Sequence, residues 1–436
     1  MSQEFSLTDR LLSLWDHLGL RAAHIGAQLP DEVAGLASAH PERIAGLMIS
    51  EAIGLDPAPF RSVASRLWLV AGDCGMSAKV ADSVAPLLPG CRRDVLEDYG
   101  APMWADSVSD HTETIVSVLS QLSGEATTPG ELSARGSHAG VDYEVQGAGP
   151  ALVLFPMYLS AAQWSAALPE LAARYTVILL SGRHLGGVAL LEERALSPSY
   201  AGMVKTLFYT MAVRPDETLL EVGCGPGALA RLAVRHFGGA NPVTAVDVNG
   251  YLLKAARELA RQDGLGAEID FRRGDAERLP FADASFDHAY TVTVLEECDA
   301  NLALRELRRV VKPGGRVGII VRAIDEPHRW RLDLPAALRE KIEAPSNLIG
   351  QRGVADASLY ARMLAAGFET LTCFPMLASH NRWDGPFWAY QEGRVLGKLT
   401  AGEAASFRDA LQSGREAGVL FMSAPHHCVV GRTPGG

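Results

Sequence analysis

The chain has no CxxC pair, no low-complexity segment and no excess of basic charge. It also lacks any uninterrupted apolar run of the roughly eighteen residues that would span a bilayer. Its six cysteines, Cys74, Cys91, Cys224, Cys298, Cys373 and Cys428, are scattered over 436 residues, which excludes a zinc knuckle or a disulfide framework. No metal is therefore expected. Acidic residues outnumber basic ones 51 to 40, for a net charge of −11, and a surface of that sign repels a phosphate backbone. The opening MSQEFSLTDR has no basic stretch followed by an apolar run, so it does not read as a secretory leader. These absences predict a reduced, cytoplasmic protein with neither a nucleic acid nor a membrane as partner.

What is present is a repeating rhythm of four to seven apolar residues, a turn and a helical pattern, which predicts α/β architecture with a mostly parallel sheet. The length predicts two or three domains. The small, polar stretch SGEATTPGE (Ser123 to Glu131) reads as a linker, and a second change of composition falls near RALSPSY (Arg194 to Tyr200). The expected segments are 1–122, 132–196 and 197–436.

In TLLEVGCGPGALARLAVRHF (Thr218 to Phe237) an apolar strand runs through a glycine-dense turn into an amphipathic helix. Gly223, Gly225 and Gly227 permit positive φ and carry no Cβ, so a ligand can lie against the backbone and the helix N-terminus. The GxGxG spacing differs from the GxGxxG of dinucleotide sites, which disfavours NAD. Glu221 ends the strand, where a carboxylate can meet an ammonium group. Asp247 ends the second strand, 20 residues past Gly227, placed to accept from both hydroxyls of a ribose. Asp also favours helix N-caps, but Asn249 is available for that role. IDFRRGDAERLPFADASFDHAYTVTVLEE supplies a third strand, the turn Gly274-Asp275-Ala276 and a fourth strand to Val292. LRELRRVVKPGGRVGII supplies a helix, a Pro313-Gly314-Gly315 stop and a fifth strand.

EVGCGPG, VDVN, GDAERLPF, FDHAYTVTVLEE and RRVVKPGGRVGII, in this order and spacing, resemble the class I S-adenosylmethionine-dependent methyltransferases. The resemblance implies a Rossmann-like domain with a seven-stranded sheet, and S-adenosylmethionine as cofactor. It implies that the backbone of Gly223, Gly225 and Gly227 cradles the methionine part, with Glu221 near its amino group. Asp247 would take the ribose hydroxyls and Val248 would pack on the adenine. Asp275 would accept from the adenine amino group beside the backbone of Ala276, and Thr291 would touch the methionine chain. Leftover stretches near 323–354 and 378–416 fall where this family commonly roofs its substrate. They carry Trp330, Trp383, Phe387, Trp388 and Tyr390, which suit either an apolar small-molecule acceptor or ordinary packing. A sulfonium is already an activated methyl donor, so in-line positioning can provide much of the rate. If the acceptor needs a base, Glu296 and Glu297 are the candidates, with His328 a weaker one. Tyr200 and Tyr209 lie on a helix that often covers the cofactor in this family, and both can equally be core residues.

The first 196 residues resemble an α/β-hydrolase fold with its halves in swapped order. Leu11 to Ser50 reads as the nucleophile-elbow half, followed by RLWLVAGDCG and LLPGCRRDVLEDYGAPMW as last strands, while Val141 to Gly187 reads as the first half. The order suggests a circular permutation, a sheet completed by a second chain, or a missing upstream piece. The catalytic groups are absent together. The elbow reads Gly26-Ala27-Gln28-Leu29-Pro30, with Gln28 in place of serine. The acid place falls near Gly75 and the histidine place on Ala101 or Pro102. The oxyanion segment is Phe155-Pro156, whose proline has no amide proton. The expectation is therefore an α/β-hydrolase-like domain without its triad, serving to dimerise, brace or cover, ahead of a methyltransferase acting on a small organic acceptor. A cofactor-binding scaffold and a bifunctional hydrolase fusion are the alternatives.

Overall fold

The computed structural model of the chain describes residues 5–100, 105–344, 350–381, 383 and 385–435. The expected histidine place at Ala101 or Pro102 lies outside the described residues. The chain forms two compact units: residues 1–190 with 389–397, and residues 191–388 with 398–436.

The sheet of the first unit contains β1 (Ala23–Ala27), β2 (Ile44–Ser50), β3 (Leu67–Gly72), β4 (Arg92–Leu96), β5 (Arg135–His138), β6 (Val141–Gln146), β7 (Ala151–Leu154) and β8 (Thr176–Ser181). Its strand order is β4-β3-β2-β1-β7-β8-β6-β5. β6 alone runs against the rest, antiparallel to both β8 and β5. β1, β2 and β3 are buried along their whole lengths, as strands covered on both faces must be. The central pair is β1 with β7, so the stretches before and after the expected linker close one sheet within one chain. The segment that joins them is tied down at one residue. Thr127 is stitched to the start of β1: its Oγ1 accepts from the amides of Arg21 (3.0 Å) and Ala22 (3.1 Å), and its own amide donates to Ala22 O (2.8 Å). Its carbonyl then accepts from the Ala151 amide at the start of β7 (2.8 Å).

The second unit contains β9 (Leu219–Val222), β10 (Val243–Asp247), β11 (Ile269–Arg273), β12 (Phe286–Val292), β13 (Val311–Arg322), β14 (Arg329–Trp330), β15 (Glu369–His380) and β16 (Met422–Arg432). The order is β11-β10-β9-β12-β13-β16-β14, with β15 on the other side of β16. β9 to β13 are parallel, and β16 is antiparallel to its neighbours. This is the Rossmann-like sheet of the methyltransferase fold. The sheet has eight strands rather than seven, because Arg329 and Trp330 pair with Ser423 and Met422 of β16 as a short extra strand. A second difference concerns Pro313-Gly314-Gly315, expected to stop the helix ahead of the strand. It lies inside β13, where the register slips between Phe286↔Val311 and His288↔Arg316. Gly314 absorbs the extra residues at φ +77°, as a bulge requires.

Apolar helix faces cover both sides of this sheet. Met203, Leu207, Phe208, Ala233 and Ala256 pack on one side, and Ala303, Leu304, Leu307, Leu359 and Met363 on the other. Asn249 and Asp299 start two of these helices, each accepting from the second and third amides of its helix. Among the described residues, no helix is long and apolar enough to cross a membrane.

Candidate functional site

The site lies at the C-terminal ends of β9, β10 and β12, where a parallel sheet leaves a crevice. β9 ends in Glu221 and Val222, and the turn 223–227 leads to the helix Ala228–His236. The amides of Gly223 and Cys224 both donate to Val246 O, which ties the turn to β10 (2.8 and 2.9 Å). A Cβ on Gly223 would stand 2.2 Å from the Val294 side chain, and Gly227 is similarly crowded by Phe271. Those glycines are demanded by packing as well as by their positive φ. Gly225 is different: at φ +52°, a Cβ there would meet only Leu191, at an ordinary contact distance of 3.7 Å, so no side chain crowds it.

Asp247 adjoins that position. Its Oδ2 accepts from the Gly225 amide and its Oδ1 from the Asn249 amide, both at 2.8 Å. A carboxylate has about four acceptor positions, so about one or two remain for a ligand. Burial raises the Asp247 carboxyl, while the amides of Asn249, Gly225 and Val248 pull it down. Next to it, Val248 is 60% exposed, an apolar side chain left uncovered beside a carboxylate. Glu221 is buried and accepts from the Tyr290 hydroxyl at 2.8 Å. Burial pushes its carboxyl up to about 8, against the pull of Tyr290 and Arg231 and with the help of Asp247. An uncompensated acid is thus held under the turn, matched in charge type to an ammonium.

The remaining expected residues are placed as follows. Asp275 is exposed and accepts from the Glu277 amide at 2.9 Å, and Ala276 is half-buried next to it. Thr291 is fully buried within β12, with its hydroxyl unpartnered. Two residues further on the strand has ended, and Val294 packs against Gly223 of the turn. Thr293 takes φ +55°, an outlier for a β-branched residue and the kind of strain that collects at functional sites. Nothing in the sequence signals it, since threonine favours strands.

Glu296 is buried and its carboxylate is committed to Arg322, whose amide donates to Oε1 (2.5 Å) and whose Nε donates to Oε2 (2.7 Å). That removes it from the candidates for a base. Glu297 is half-exposed, 3.5 Å from Arg322. Tyr200 is buried and Tyr209 exposed on the helix Pro198–Met211. Trp330 packs edge-on against Trp388 and Phe407 at 5.3 and 5.6 Å, and the Trp383 indole donates to Leu420 O. Sequence reasoning also missed Arg231, which is 1% exposed. It donates to Pro226 O in the glycine turn and, through Nη2, to both oxygens of Glu192. An arginine inside an amphipathic helix gives no hint of this.

Known methyltransferases are similar to this chain across the second unit. Residues 220–319 match the family described as methyltransferase domain. The 2-phytyl-1,4-naphtoquinone methyltransferase of Synechococcus elongatus is 32% identical over 186 residues, 38% of this chain and 77% of that protein. The malonyl-[acyl-carrier protein] O-methyltransferase of Erwinia billingiae is 35% identical over 163 residues, 36% of this chain and 60% of that protein. A ubiquinone/menaquinone biosynthesis C-methyltransferase of Brucella anthropi is 43% identical over 105 residues, 24% of this chain and 40% of that protein. The chain thus spans less than two thirds of the length of several curated relatives that it matches. Fold order, uncrowded glycine turn and relatedness converge: the chain belongs to the S-adenosylmethionine-dependent methyltransferases, and its cofactor is S-adenosylmethionine.

Proposed function

We propose that the chain transfers a methyl group from S-adenosylmethionine to a small organic acceptor, in a biosynthetic setting in the cytoplasm. The observation that carries this reading is the uncrowded Gly225 in the glycine turn with the strand-end Asp247 carboxylate bonded to its amide. The residues present fit the cofactor. The backbone of Gly223, Gly225 and Gly227 would cradle the amino-acid end, with Glu221 near its amino group, and Asp247 would take the ribose. Val248 would lie on the adenine and Asp275, next to Ala276, would accept from its amino group. The bound sulfonium supplies the activated methyl. The protein's part is to exclude water and hold the acceptor in line with the carbon–sulfur bond. Isothermal titration of the full chain with S-adenosylhomocysteine tests the reading. Saturable one-to-one binding is expected, and its absence from folded protein would end the proposal.

In the same reading the first unit, within 1–122 and 132–196, is a circularly permuted α/β-hydrolase-like module without catalysis. The strand order supports it. Starting at β5 and rejoining the chain ends, the sheet runs first, second, fourth, third, fifth, sixth, seventh, eighth, with only the second strand reversed. The elbow residue Gln28 is buried and spends its Oε1 on the Tyr158 amide at 2.7 Å, which argues against the hydrolase alternative.

A further inference from the structure

We propose that Arg194, flanked by Tyr200 and Thr293, seats an anionic oxygen of the methyl acceptor, so that the acceptor is a compound that arrives ionised, such as a phenolate, an enolate or a carboxylate. This rests on the methyltransferase reading and narrows its substrate class.

The first observation is a missing partner. Three other cations of this unit that lie out of full solvent hold a carboxylate, Arg231 on Glu192, Arg322 on Glu296 and Arg309 on Glu306, and the half-buried Arg316 donates to Met211 O. Arg194 is half-buried, and among the described residues no carboxylate pairs with it. Its Nη2 reaches Thr293 Oγ1 only at 3.4 Å, and its buried Nε has no acceptor at all. A guanidinium offers five N–H donors in a fixed fork that matches an oxyanion. Leaving a buried donor unmatched costs about 1–3 kcal/mol, so such a group signals a ligand that is bound in the working state.

Position is the second observation. Thr293 leaves β12 at positive φ, and the next residue, Val294, closes directly on Gly223 of the cofactor turn. The Arg194 fork is therefore one residue from the turn that carries the methionine end. The Arg194 carbon sits 5.2 Å from the centre of the Tyr200 ring. The Tyr200 hydroxyl is buried beside the Thr293 side chain and meets no other hydrogen-bonding group among the described residues, so it can turn to the same guest as a second donor.

The surroundings favour one negative charge. His426 meets the Tyr200 ring edge-on at 5.9 Å, and its Nδ1–H donates to Ala424 O. Burial, aided by Arg194, keeps His426 and His380 neutral, at about 3 and about 4. Glu296 is already neutralised by Arg322. The positive charge of Arg194 thus stands unbalanced beside the place of a positive sulfonium, and an anion offsets both. An acceptor that enters ionised attacks the methyl carbon with its own electron pair, and the carbon–sulfur pair leaves on sulfur. Where oxygen is the nucleophile, no proton remains for the protein to remove, which agrees with a site whose nearest buried carboxylate is spoken for.

The test uses the full chain saturated with S-adenosylhomocysteine and 4-nitrophenol as probe, its ionisation read by absorbance across pH. The bound probe should ionise about one pH unit below the free one. Arg194→Met should abolish that shift, Arg194→Lys should keep part of it, and Tyr200→Phe should weaken binding several-fold. Equal binding of the neutral and ionised probe, no binding, or an unchanged shift in both Arg194 variants would overturn the proposal. S-adenosylhomocysteine binding, measured first on each variant, separates these outcomes: if wild-type protein fails to bind it, the methyltransferase reading falls instead.

Discussion

Each unit of this chain carries a glycine-containing turn from the end of a parallel strand into a helix, and the two turns have opposite fates. In the first unit, residues 26–30 lie over a space that the protein fills for itself. Gln28 accepts from the Tyr158 amide, and Glu32, one turn into the helix, accepts from the Gly186 amide at 2.5 Å. The Phe155 amide is used by Gly26 O at 2.9 Å, and Pro156 has none to give. In the second unit, residues 223–227 are pinned to β10 from below, while no side chain crowds Gly225 and Asp247 adjoins it. The amides of the second turn are spent too, on Val246 O, Asp247 Oδ2 and Cys224 O, so what separates the two corners is whether side chains cover the turn's outer face. The same local architecture serves as a structural joint when side chains fill that face, as Gln28 and Glu32 do in the first unit.

The contrast breaks most severely at Asp247. Replacing it with alanine removes up to two hydrogen bonds from the ribose hydroxyls to a charged acceptor, each worth roughly 1.5–3 kcal/mol. Affinity for S-adenosylhomocysteine should fall on the order of 10²- to 10³-fold by calorimetry, with the thermal unfolding of the first unit unchanged. A loss below threefold would mean that Asp247 merely braces the turn.

A smaller effect comes from two buried acids that differ only in what they face. Glu32 and Glu221 are each pushed up to about 8, chiefly by burial. Folded, unliganded protein therefore prefers both in the protonated form. The stability this gives is present at acidic pH and is lost as pH rises through about 8. Glu221, surrounded by Tyr290, Asp247, Arg231 and Cys224, should ionise when an ammonium arrives. Cofactor affinity should then rise with pH from 6 to 8, by at most about tenfold per unit, with a proton released to buffer. Glu221→Gln should flatten the slope, and Glu32→Gln should leave it intact. An equal response of the two variants would erase the distinction between the turns.

The elbow offers the converse experiment. Gln28→Ala leaves the Tyr158 amide without its acceptor and should cost about 1–3 kcal/mol in urea unfolding. Gln28→Ser restores a hydroxyl at that place, yet 4-nitrophenyl acetate turnover should stay at background, since the oxyanion donors are already consumed. Turnover by wild-type protein that vanishes in Gln28→Ala would revive the hydrolase alternative.

These sites were unequally legible in the sequence. The cofactor turn was readable because its glycines, the strand-end acids Glu221 and Asp247 and the cap Asn249 all lie within about thirty residues and obey local rules. Glu296 read as a candidate base because proximity to a strand end is visible in sequence, whereas its pairing with Arg322 across two strands is not. Arg194 belongs to no motif, and only tertiary packing makes its missing partner visible. The two-residue strand Arg329–Trp330 is too short for any periodicity to register. The order of the first sheet left a sequence signature in its apolar runs, but the stitch that closes it did not, because a small polar residue looks the same whether it links or pins.

That stitch yields the mildest prediction. If Ser123 to Glu131 were a linker, Thr127 would be dispensable and the stretch would be an easy place for a protease to cut. In the structure, Thr127 instead joins the entries to β1 and β7, the central pair of the first sheet. Thr127→Val keeps the shape and both backbone bonds while deleting the Oγ1 acceptor, and water can partly replace it because the residue is only half-buried. The expected loss is about 1 kcal/mol in urea unfolding, with cleavage between 123 and 131 under dilute protease several-fold faster than in wild type. Wild-type protein should resist that cleavage. Rapid scission of wild type at this place, with both fragments still folded, would show that the two stretches pair without the stitch and would return the segment to the role of a connector.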